Sequence, residues 1–203
     1  VNYYWHDLCC TGQAREFQDR HPLTRDIAEE VYDLAMESGN WRQARKIAEQ
    51  GKLTEGQYTI ARTHELREQF DLALNDRTDP HRFRDALRFA RDPEATIPVV
   101  FPHEQLRSAA RSASASGAHA EALELAELGA APANDLRAFT IALFEQELPE
   151  SPIDAYRTAL RYHLEQPFVD RAREHAFARA IERGEFTLAQ QLPDGTFLMI
   201  DAK

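Results

Sequence analysis

The sequence predicts an all-α protein of antiparallel helical hairpins stacked as an α-solenoid, with a short extended C-terminal tail. The first observation behind this is a phrase that returns along the chain: Gly39-Asn40-Trp41-Arg42-Gln43-Ala44, Gly117-Ala118-His119-Ala120-Glu121-Ala122 and Gly184-Glu185-Phe186-Thr187-Leu188-Ala189. Recurrence at long intervals is a mark of helical arrays. The second is that apolar residues between the breakers fall at helical rather than alternating spacing. Third, Gly, Pro and Ser/Asp/Thr caps cut the text into helix-length pieces. An irregular helical bundle is the competing architecture.

Composition bounds the rest. The 203 residues suffice to bury a core without disulfides or metal, and 43% hydrophobic with 29% charged residues describes a globular chain. A formal charge of −10 argues against non-specific binding of nucleic acid, which depends on neutralising phosphates. No apolar run approaches the length of a membrane span, and no charged-then-apolar leader opens the chain, so the expected compartment is the cytoplasm. Cys9 and Cys10 are adjacent and alone, which is no disulfide framework.

The elements follow in order. Tyr3, Tyr4, Trp5, Leu8 and Phe17 read as a first helix whose aromatics cap the array. Thr24 caps a helix with Ile27, Val31, Leu34 and Ala35 on its apolar stripe, ending at Ser38-Gly39. A second helix runs from Asn40 to Gly51, and glycine at such a boundary suits a left-handed cap. Thr54 and Gln57 form a capping-box pair before Tyr58, Ala61 and Leu66, and Phe70 with Ala73 repeats the ring-to-Ala step. Asp79-Pro80 reads as a cap plus first-position Pro, opening a helix with Phe83, Ala86, Leu87 and Ala90.

Between Pro93 and Pro102 three prolines surround Ile97, Val99, Val100 and Phe101, which suits no helix. The segment reads as a connector between an N-terminal helical sub-domain, 1–92, and a C-terminal one, 103–203, its apolar residues packing down. One continuous array is the alternative. Helical text resumes at His103, turns at Gly117 and ends near Gly129; it starts again at Asn134-Asp135, breaks at Pro149 and restarts at Ser151-Pro152. The last pair starts near Pro167, turns at Gly184 and stops at Pro193, and Thr196 to Ile200 after Asp194-Gly195 form the extended tail.

Trp41, Ala44 and Ala48, then His119, Ala122 and Ala126, then Phe186 and Ala189, resemble the opening of the second helix of tetratricopeptide repeats. Ile153 and Tyr156 take the corresponding places between the last two, giving steps of 34 and 33 residues (119 to 153, 153 to 186) beside a family period of about 34. In the first half the rings Trp41, Phe70 and Phe83 fall 29 and 13 apart. The resemblance implies that the first helix of each unit lines a concave face whose exposed side chains select a protein or peptide. Those places hold acidic Asp26, Glu29 and Asp33, then Tyr58 and Arg62, then Arg107 and Arg111. The Lys/Asn clamp that the family uses for a terminal carboxylate is absent.

The expected function is therefore a non-enzymatic interaction module, an adaptor or regulator holding a partner segment in a helical groove. A helical enzyme or metal-dependent protein using histidines and carboxylates is one alternative, and a self-assembling subunit, a homo-oligomer, is another. No phosphate-binding Gly loop or Gly-x-Ser-x-Gly elbow is present, so no catalytic residue and no cofactor is assigned. His6, Cys9 and Cys10 supply three candidate metal ligands with His21 as the sole nearby fourth, which falls short of a zinc pattern. His64 and Glu68, at i and i+4, read as a surface pair.

Overall fold

The computed structural model describes residues 24–95, 97 and 99–184. The N-terminal aromatic cluster, the His6–Cys9–Cys10 group with His21, the Phe186–Ala189 phrase and the tail lie outside the described residues. Within them the protein is all-α, with nine helices and no strand. They are α1 (Arg25–Glu37), α2 (Trp41–Gln50), α3 (Glu55–Asn75), α4 (Arg82–Ala90), α5 (His103–Ala115), α6 (His119–Leu128), α7 (Ala133–Glu150), α8 (Pro152–Arg161) and α9 (Gln166–Glu182). The chain divides into two compact units, Val1–Phe101 and Pro102–Lys203. Inside each, every helix packs on the next one along the chain.

In the first unit, α1 follows Thr24, which is extended at the N-cap position without a side-chain capping bond. Its buried stripe is Ala28, Val31, Tyr32 and Ala35, whereas the expected Leu34 is 50% exposed. Tyr32 accounts for the rotation. Its ring is buried while its hydroxyl donates to the Gln57 carbonyl at 2.7 Å, so the larger side chain takes the core and keeps a polar partner. The capping box at Thr54 and Gln57 forms as the sequence predicts.

Phe70 does not open a second helix. Nothing between Leu66 and Ala73 breaks the chain, so α3 continues for 21 residues and Phe70 is fully buried within it. Nor does Asp79-Pro80 cap α4. The Asp79 carboxylate accepts the His81 N–H at 2.8 Å, closing a turn before the helix begins at Arg82. The end of the proline segment packs down within this unit. Phe101 meets Phe70 with ring centroids 4.8 Å apart, and Arg67 donates to the carbonyls of Val99 and Val100.

In the second unit, α5 presents Leu106, Ala109, Ala110 and Ala113, a mostly small-residue face that lets α6 approach closely. Helix α7 passes through Pro149 and ends at Glu150. A proline in the last turn leaves few bonds to lose, and its carbonyl accepts Arg179 at 2.8 Å. The break falls at Ser151, with Pro152 at the first position of α8. Phe144, Leu148, Tyr156, Leu164 and Val169 with four alanines fill the core, and Phe168 meets Phe144 edge-on at 5.3 Å.

Helices α2, α6 and α8 are each 10 residues long and share one packing pattern. The third and seventh residues after the first are alanines: Ala44 and Ala48, Ala122 and Ala126, Ala155 and Ala159, all buried. Ala86 and Ala90 of α4, counted from Phe83, do the same. This corrects the register of the third copy, where Pro152 rather than Ile153 stands in the place of Trp41 and His119.

All three ten-residue helices close alike. Leu53, Ala131 and Leu164 donate backbone N–H groups to Ala48, Ala126 and Ala159, each at 2.9 Å, around a left-handed residue. That residue is Lys52 (φ 50°), Ala130 (φ 46°) or His163 (φ 53°). Gly51 and Gly129 precede it and are right-handed, at φ −76° and −78°, so neither is the left-handed cap that the sequence suggests. Gly129 has another purpose: a Cβ there would lie 3.1 Å from the His103 carbonyl and from Arg107. Gly39 (φ 72°) and Gly117 (φ 81°), which end α1 and α5, are left-handed as expected.

Candidate binding groove

The second unit carries an open groove of about 910 Å³ along α6, α7 and α8. Leu123 of α6, Leu143 of α7 and Leu160 of α8 supply apolar lining, and the polar side chains include Glu124, Glu147, Asp154, Arg157 and Arg161. It forms where α6 and α8 both pack on α7, each with its alanines buried.

Glu147 of α7 is the acidic residue that the middle helix brings to the groove. It is partly buried, and it accepts the Thr158 hydroxyl at 2.7 Å. Burial pushes its carboxyl above the usual carboxylate range; the Thr158 bond opposes this and the like charge of Asp154 adds to it. Arg157 instead reaches Asp154 at 3.3 Å, and the Arg161 guanidinium lies 5.2 Å from the Tyr162 ring centre. Burial and the charge of Glu127 raise the Tyr162 hydroxyl.

The residues expected to select a partner lie elsewhere. Asp26 and Asp33 are exposed on α1, where Glu29 pairs with Arg25 at 3.0 Å. Tyr58 and Arg62 are brought together on Glu94, at 3.1 and 2.7 Å. Arg62 also binds Asp92 at 2.6 Å and Glu65 at 3.1 Å, and Arg45 meets the same Glu65 oxygen at 2.5 Å. Arg107 and Arg111 converge on Glu104, at 2.9 and 2.8 Å. Their hydrogen bonds, that of Arg111 first, hold the Glu104 carboxyl below the usual range. Each of these four Tyr and Arg side chains therefore has a partner within its own unit.

Two of the histidines have structural contacts. His64 stacks on Trp41 with centroids 4.4 Å apart, and His119 is 3.4 Å from the Ser114 hydroxyl. Among the described residues no cluster of three or more His, Cys, Asp or Glu is arranged to hold a metal ion. Among the same residues no helix is long and apolar enough to cross a membrane.

Sequence reasoning missed the groove for two reasons. It placed the binding face on first helices, and it broke α7 at Pro149, which left Glu147 at a helix end. Comparison with known proteins gives no match: no family model fits the chain, and no curated protein or solved structure is significantly similar to it.

Proposed function

We propose that the chain is a protein-interaction module whose helices pair into hairpins and stack as in tetratricopeptide-like arrays. In this reading the second unit holds a segment of a partner protein in the groove of α6, α7 and α8. One observation carries it: an open groove with apolar lining framed by charges of both signs, the pattern by which an amphipathic segment is gripped and oriented. The recurring ten-residue helices and their common caps support the array. The selecting side chains in this proposal come from second helices rather than from Asp26, Glu29, Asp33, Tyr58, Arg62, Arg107 and Arg111.

Selection of peptides from a random displayed library on the full chain tests the proposal. Enriched sequences should bind the wild type and lose about tenfold or more in affinity against Leu143→Glu, whose helicity is unchanged; one unpaired charge in an apolar site suffices for that. Enrichment of peptides indifferent to Leu143→Glu, or no enrichment, would remove the groove from consideration.

A further inference from the structure

The groove's charges are unevenly satisfied. Seen from Glu147, α8 offers Asp154, Arg157, Thr158, Arg161 and Tyr162, and α6 offers Glu124. Arg157 is drawn to Asp154. Arg161 lies over the Tyr162 ring. Glu147 keeps a neutral hydroxyl, and among the described residues no guanidinium or ammonium pairs with it. A carboxylate that has given up water for one hydroxyl is under-compensated, and a cation brought to it gains more than it would on an open surface.

The surroundings fix what kind of cation. Leu143 of α7 and Leu160 of α8, both partly exposed, line the same groove as Glu147, so a bare metal ion or a small hydrated cation would leave their surface uncovered. A lysine or arginine on an apolar segment satisfies both, because its stem covers hydrocarbon while its head reaches the carboxylate. We infer that the groove receives a basic side chain, lysine or arginine, on a partner segment whose apolar residues rest on Leu143 and Leu160. This rests on the interaction-module reading above. It names the partner's chemistry: an amphipathic segment with a basic residue inside, not outside, its apolar face.

A double-mutant cycle tests it. The probes are a capped alanine–glutamine–leucine helix of about four turns, with leucines one turn apart and one central lysine, and its twin with norleucine in place of lysine. The lysine peptide should bind the wild type about tenfold more tightly than its twin, and Glu147→Gln should erase that difference. Equal binding of the twins to the wild type, with both lost in Leu143→Glu, would overturn the cation inference and leave the groove standing. Preference for a third twin bearing glutamate would overturn it in favour of Arg157 and Arg161. If neither twin binds, or if binding ignores Leu143→Glu, the groove reading falls and the inference with it.

Discussion

The two units use the same turns and treat charge in opposite ways. In the first, Glu65 is only 3% exposed, yet Arg45 and Arg62 both reach it, and Arg62 carries the chain on to Asp92 and Glu94. That network closes on itself and ties α2, α3 and the residues after α4 together. In the second, the core is largely alanine, leucine and aromatic rings, and Glu147 sits at an open groove with, among the described residues, a hydroxyl for company. A buried charge that is fully paired is structural, while one partly desolvated and unpaired is available to something else.

The largest effect should come from breaking the closed network. Glu65→Ala takes from Arg45 its closest carboxylate and from Arg62 one of three, and we expect a loss of about 2–3 kcal/mol in chemical denaturation, the range of hydrogen bonds to charged groups. A loss under about 1 kcal/mol, the range of exposed pairs, would mean that water already enters the network. The contrast between the units would then be one of degree.

The shared turns supply the next test. Gly117 is left-handed, and a Cβ added there would have no atom within 4 Å, so Gly117→Ala isolates the backbone term and should cost about 1–2 kcal/mol. At Gly39 the added Cβ would meet the Trp41 ring at 3.7 Å, an ordinary contact, so Gly39→Ala in the first unit should cost a similar amount. Ala130→Gly should instead stabilise by about 0.5 kcal/mol, since relief at φ 46° exceeds the entropy added to the unfolded chain. Thermal melts of the three variants check this. Unequal costs at Gly39 and Gly117 would show that the units differ in their turns as well as in their charges.

Much of this was legible in the sequence, and the failures have physical causes. Helix boundaries marked by a local device were readable: the Thr54–Gln57 box, left-handed Gly39 and Gly117, and Pro152 at a first position. Inward alanines were readable because a small residue at helical spacing has few other uses. The stripe of α1 was misjudged because a remote carbonyl, that of Gln57, decides that Tyr32 rather than Leu34 turns inward. Phe70 was misplaced because a ring-to-Ala spacing also arises inside a continuous helix. The groove was invisible because it depends on α6 and α8 packing on the same intervening helix, which no local pattern encodes.

The smallest expected effect sharpens the comparison most. The Glu147 carboxyl has a folded pKa above its unfolded one, so the folded second unit holds that proton more tightly. Its contribution is fully present below the unfolded value, about 4.3, and is lost as pH rises through the folded value. Glu147→Gln removes that slope. The variant should match the wild type near pH 4 and be slightly more stable at pH 7, the gain kept small by solvent at the groove mouth. Urea titrations at the two pH values measure it, with Glu65→Gln in the first unit expected to lose stability at pH 7. Should Glu147→Gln lose stability there as well, Glu147 would already have its cation within the chain. The second unit would then close its charges as the first does.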